Sequence, residues 1–275
     1  MNINNFFNID ERLMQLDKKI LAEISPRFKE TDDITEYNQL KMLSAFIKNG
    51  VTESAFAGST GYGYDDRGRE ILERVMADAM GAEDSLIRHN FVSGTHTLTV
   101  ALFGILRPGD KVLVLTGRPY DTITGVFGID EKTDGSLADF GVEYNETALL
   151  PDGTPDKAAI KKELAANTYK MAYIQRSRGY STRPSLTIEK IRELCDIVRE
   201  VSPKSIIMVD NCYGEFTEKQ EPCEVGADII AGSLIKNPGG GIAPTGGYIA
   251  GRHELIEKCA YRLTCPGVGR EAGAT

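Results

Sequence analysis

Apolar positions near the start of the chain recur with a helical period. Ile9, Leu13, Leu16, Ile20 and Ile24 fall three to four residues apart, which lines them along one helix face. Pro26 cannot donate the hydrogen bond of a helix interior and is expected to stop that run. Tyr37, Leu40, Leu43 and Phe46 repeat the spacing and predict a second helix ending at Asn49 and Gly50. A glycine- and tyrosine-rich loop at 57–68 follows, and then a third helix over 69–80.

Beyond it the pattern changes to alternating short strands and helices. Strands are expected at 85–91, 111–115, 141–144, 170–175, 205–209, 229–232 and 247–250, with helices at 95–106, 120–127, 156–166 and 187–201. Several strands are unbroken runs of Val, Ile, Leu and Met with no polar alternation, which burial on both faces of a parallel sheet requires. The turns Pro-Gly-Asp at 108–110 and Pro-Asp-Gly at 151–153 punctuate the order. Together these features predict an α/β fold: a mainly parallel seven-stranded sheet with helices on both faces. No internal repeat interrupts it.

Composition narrows the function classes. At 275 residues the chain can bury one substantial core, and its 41% apolar and 26% charged content is that of an ordinary globular protein. Lys and Arg number 32 against 40 Asp and Glu, a net charge of −8 that argues against wholesale binding to nucleic acid or to an anionic membrane. No apolar run reaches the roughly 18 residues of a membrane span, and the first residues lack a secretion signal. Five cysteines, an odd number with no C-x-x-C pair, and only three histidines point to a reduced, cytoplasmic protein without a metal site.

Candidate chemistry sits at three strand ends. The run 205–209 leads into Asp210, at the carboxyl edge of the sheet where open α/β folds keep their sites; the plainer reading is an acid capping a turn. The run 229–232 leads into Ser233 and then Lys236, ahead of a glycine-rich loop. A desolvated lysine there would have a lowered pKa and could form a Schiff base, whereas an ordinary lysine would simply be solvated. Ser93, Gly94, Thr95 and His96 stand where a strand turns into a helix, a cradle for phosphate or else a plain N-cap. The G-x-x-x-x-G-K-[ST] loop is absent, and Gly61-x-Gly63 is followed by Asp66 where a dinucleotide fingerprint needs glycine.

As an ordered set these residues resemble the fold-type I pyridoxal-phosphate (PLP) enzymes of cysteine and methionine metabolism. The match is best to the methionine gamma-lyase-like family, often labelled aluminium resistance proteins. The turn at 93–96, Tyr120, Asp210 and Ser233-x-x-Lys236 carry that likeness, as do the segments 61–68 and 175–184. The resemblance implies the large domain of a PLP-dependent transferase fold. Lys236 would carry PLP, Asp210 would pair with its ring nitrogen, and Tyr120, or less directly His96, would stack on the ring. Ser93, Gly94, Thr95 and Ser233 would hold the phosphate. Tyr62, Tyr64 and Arg67 would complete the phosphate site of a neighbouring subunit, implying a homodimer or homotetramer with shared sites. Arg176, Arg178 and Arg183 are candidates for the substrate carboxylate.

The implied activity is carbon–sulfur elimination from a sulfur amino acid. A transferase, aldolase or decarboxylase using the same cofactor, or an inactive truncated homologue, stays open. The expected organisation is N-terminal helices and loop over 1–68, a PLP-binding domain over 69–265, and from 266 a linker toward a C-terminal domain lying beyond this sequence.

Overall fold

The computed structural model describes residues 6–59, 66–131 and 133–271. Helix α1 runs unbroken over Glu11–Lys48, its start capped by the Asp10 side chain, which accepts from the Arg12 amide. Pro26 lies inside it and does not end it. Residues 21–30 are all exposed, so the carbonyl that Pro26 leaves unpaired faces solvent, where the lost hydrogen bond costs least. Helix α2, Arg67–Met80, is capped at its start by Asp66 and closed by Gly81 in a left-handed conformation.

The remaining elements are β1 Asp84–Arg88, α3 Gly94–Ile105, β2 Lys111–Val114, α4 Asp121–Phe127, β3 Glu143–Glu146, α5 Lys157–Ala166 and β4 Met171–Gln175. They continue with α6 Ile188–Val201, β5 Ile206–Asp210, β6 Ile229–Ser233, β7 Gly247–Gly251 and α7 His253–Leu263. The seven strands form one sheet in the order β1-β7-β6-β5-β4-β2-β3. All neighbours are parallel except β7, which runs against both β6 and β1. The sheet is thus mixed, not wholly parallel. The 234–246 connection from β6 to β7 contains no crossover α-helix, and without one a returning strand pairs antiparallel.

Two apolar layers flank the sheet. On one face Leu98 and Leu102 of α3, Phe127 of α4 and Leu255 of α7 pack against Val112, Met208 and Ile249. On the other, Met80 of α2, Ile160 of α5 and Ile191 of α6 pack against Leu113, Ile207 and Ile230. Successive strand residues therefore serve opposite layers, which is why the runs read as continuously apolar. Helix α7 escapes the periodicity reading, although Leu255, Ile256, Cys259 and Ala260 form its buried stripe. The segment after α7 returns along α2 and β1. There the Arg69 and Arg88 guanidinium groups donate to the carbonyls of Glu271 and Arg270. Among the described residues no helix is long and apolar enough to cross a membrane.

Candidate active site

Parallel pairing aligns the carboxyl ends of three strands: Gln175 of β4 lies opposite Asp210 of β5, and Asp210 opposite Ala231 of β6. Beyond those ends opens a cleft of about 460 Å³ lined by Asp210, Lys236, Ser93, Gly94, Thr95 and Tyr120, among others. Tertiary structure therefore brings the acid and the amine into one cavity, together with the start of α3.

Asp210 is only 4% exposed, and its Oδ1 accepts from the Cys212 amide at 3.1 Å. Burial pushes its pKa up, opposed by the Cys212 N–H and thiol, by Lys236 and by the Tyr173 hydroxyl. That hydroxyl, fully buried next to the carboxylate, forms no hydrogen bond of ordinary geometry. Lys236 Nζ stands 4.1 Å from the centre of the Tyr213 ring. Burial alone would lower the amine's pKa, but Cys212, Asp210 and Tyr213 together outweigh it and raise it. The lowered amine expected from desolvation is not what this arrangement produces, because acidic groups face the lysine.

The cradle is partly as expected. Ser93 Oγ accepts from the His96 amide at 3.1 Å, capping α3. A Cβ on Gly94 would stand 3.1 Å from Ser233 Cβ and 3.6 Å from Cys212 Sγ, so glycine keeps the floor of the cleft open. Thr95 Oγ1 lies 2.7 Å from Thr122 Oγ1. Ser233 is buried, its Oγ accepting from the Ile235 amide, and it packs beneath Gly94 without lining the cleft. His96 does not line it either. Its Nδ1 accepts from the Val92 amide at 3.2 Å, and its ring sits edge-on to Phe91. Both side chains are engaged locally: Ser233 ends β6 with its hydroxyl on the Ile235 amide, and His96 stands in the first turn of α3 with its ring nitrogen on the Val92 amide.

Tyr120 precedes α4 and lines the cleft. The three arginines divide. Arg176 is buried and pairs with Glu218 at 2.8 Å and Glu221 at 3.6 Å, and it donates to Asn211 Oδ1. Arg183 is buried with its guanidinium on backbone carbonyls. Neither lines the cleft, since both charges are already satisfied internally. Arg178 is exposed on the loop beside it. Tyr62 and Tyr64 fall outside the described residues; Arg67 is exposed at the start of α2 and does not line this cleft.

Sequence reading missed Cys212, Tyr213, Thr122, Ser177 and Tyr180, all cleft residues. Cys212 and Tyr213 could have been flagged as lying two and three positions beyond a strand-end acid. Tyr213 has φ 67, a left-handed backbone that a non-glycine residue seldom takes. Also missed was a group with cation-ligand spacing, Asp84, His253 and Glu257, remote in sequence. Its carboxylates already pair with His253 and Arg270.

Beneath the cleft, Glu215 is buried and its Oε1 accepts from the Tyr248 hydroxyl at 3.0 Å, while Oε2 has no partner. Burial raises its pKa to about 8 from the usual 4.5, with Glu221 and Asp210 adding to the rise. The folded state holds this proton more tightly than the unfolded chain. Its contribution is therefore complete below about pH 4.5 and is lost as pH rises toward 8. Urea unfolding of the native chain should show a decline of up to about 5 kcal/mol across that window, and Glu215→Gln should flatten it. An unchanged slope in the variant would refute the assignment.

Comparison with known proteins identifies the family. The sequence model for methionine gamma-lyase matches residues 13–275. The Bacillus subtilis protein YnbB is 48% identical over 266 residues, covering 96% of this chain and 63% of that protein. A solved structure from Clostridium novyi NT, described as a carbon–sulfur lyase involved in aluminum resistance, superposes with a TM-score of 0.93 at 47% identity, covering 99% of this chain and 65% of that one. A PLP-dependent protein of Escherichia coli, YhfS, shares the fold at 19% identity with a TM-score of 0.63, over 84% of this chain and 58% of its own. This chain thus spans less than two thirds of the length of these relatives. Its match along nearly the whole sequence and its close structural likeness to a carbon–sulfur lyase make it a member of the methionine gamma-lyase family.

Proposed function

We propose that this chain is the cofactor-binding part of a PLP-dependent carbon–sulfur lyase that acts by elimination on a sulfur-containing amino acid. The observation carrying the reading is the convergence of Asp210, Lys236 and the start of α3 on one cleft. The donor set suits the cofactor: an amine for its aldehyde, a buried carboxylate for its ring nitrogen, and open helix N–H groups beside Ser93 and Thr95 for its phosphate. The space that Gly94 leaves open supports the same fit.

When bound, PLP supplies an electron sink for negative charge at the substrate α-carbon. Lys236 would hold the cofactor and, once displaced by substrate, move the α-proton. Asp210 would keep a proton on the ring nitrogen, and Tyr120 would wall one side of the cleft. A thiol would leave from the β or γ carbon. The test is to supply PLP and measure thiol, ammonia and ketoacid release from methionine, cystathionine and cysteine. Ketoacid without thiol would favour transfer over elimination, and no product from any of them would count against the reading for this chain.

The site would be shared between copies. Helix α1 exposes Leu13 (60%), Leu16 (51%), Leu40 (59%) and Leu43 (55%), apolar surface that supports docking of a second copy. In that arrangement Tyr62, Tyr64 and Arg67 would reach the neighbour's phosphate site. Sedimentation should report a dimer or tetramer that Leu13→Glu with Leu16→Glu dissociates; a native monomer would contradict the proposal.

A further inference from the structure

The arginine-rich segment 176–183 has a structural use that points to another residue of the site. Buried Arg183 donates to the Gln175 carbonyl at 2.9 Å and to those of Ser177 and Pro184, clamping the segment onto the end of β4. Gln175 is buried too. Its Oε1 accepts from the Tyr120 amide at 2.6 Å and its Nε2 donates to the Ser177 carbonyl at 3.0 Å. One side-chain amide therefore ties the residue before α4 to the arginine-rich segment. Gly179 has φ 58, and a Cβ there would stand 3.3 Å from Tyr120 Cδ2, so the segment passes close along the Tyr120 ring. It delivers Tyr180 to a ring separation of 5.5 Å from Tyr120, with the two hydroxyl oxygens 3.4 Å apart.

We propose that Tyr180 is a positioning residue for Tyr120: its hydroxyl sets the direction of the Tyr120 hydroxyl in the cleft, and the Arg183 and Gln175 contacts hold it there. Packing gives no alternative reason for the residue, since Tyr180 is 87% exposed. Both tyrosines line the same cleft as Asp210 and Lys236. The Tyr180 contact is also the first cause that holds the Tyr120 phenol protonated to about 12, ahead of burial, Asp121 and Tyr213. The inference rests on this cleft being the active site, yet its first test needs no turnover.

The phenolate absorbance difference between the protein and its Tyr120→Phe variant isolates the Tyr120 phenol. Its midpoint should fall from about 12 toward 10.0 when the same difference is taken in a Tyr180→Phe background. At about pH 11, where a midpoint of about 12 leaves roughly a tenth ionised, the ionised fraction should rise, read while circular dichroism reports the fold. A midpoint unmoved by Tyr180→Phe overturns the proposal. In the PLP-loaded protein, Tyr180→Phe should lower kcat about tenfold with little change in KM. On a Tyr120→Phe background it should cost nothing further. Independent, multiplying losses would also overturn it. A shifted midpoint in a chain that releases no thiol would uphold the positioning role and count against the lyase reading instead.

Discussion

Replacing Lys236 by alanine is expected to remove the covalent link to PLP and to lower turnover by about four orders of magnitude or more, in line with loss of a nucleophile that also moves a proton. Borohydride reduction of the PLP-treated native chain, followed by peptide mapping, should place one pyridoxyl group on Lys236, and the variant should carry none. A stoichiometric adduct on another lysine would end the assignment. The setting of the amine adds a second expectation. Its pKa is raised by Cys212, Asp210 and Tyr213 against the effect of burial. Only the neutral amine can attack an aldehyde, so cofactor loading should accelerate about tenfold per pH unit until that pKa is reached. A loading rate flat across neutral pH would mean that the ammonium pictured against the Tyr213 ring is not the resting form.

The Asp210→Asn variant should separate function from stability. An amide cannot hold the ring nitrogen's proton as a carboxylate does, and losing such a preorganised charge typically costs about a hundred- to a thousandfold in kcat. Folding should not suffer equally. Burial raises the Asp210 pKa, so the ionised acid is a cost to the folded state at neutral pH. Asparagine can still accept from the Cys212 amide that now bonds Oδ1. The variant should therefore melt at or above the native temperature while losing most turnover. Parallel falls in melting temperature and activity would instead make Asp210 a structural residue.

These expectations rest on features of unequal legibility. The strands β4, β5 and β6 were readable because residues buried on both faces leave an unbroken apolar signature, as in Ile206–Asp210. The acid stood out by its place at the carboxyl end of a buried strand, and the lysine because that side chain is seldom buried without a partner. Ser93 was readable as a helix start for a local reason, its hydroxyl reaching an amide three residues on. Arg176 and Arg183 were misread because nothing local distinguishes a guanidinium aimed at a ligand from one answering Glu218 or a buried carbonyl. Pro26 was misread because the penalty for breaking a helix depends on whether the freed carbonyl is buried or wet.

By itself, the sequence determined the order of the seven strands and of the helices between β1 and β5, which follows from periodicity, and the family, which rests on the resemblance of an ordered set of motifs. Tertiary structure alone decided that β7 runs antiparallel, that Asp210 and Lys236 share a cleft with Cys212 and Tyr213, and that Tyr180 reaches Tyr120. Those outcomes depend on contacts between residues far apart in the chain, whose pairing is settled by burial and hydrogen bonding across the whole sheet and leaves no local pattern to read.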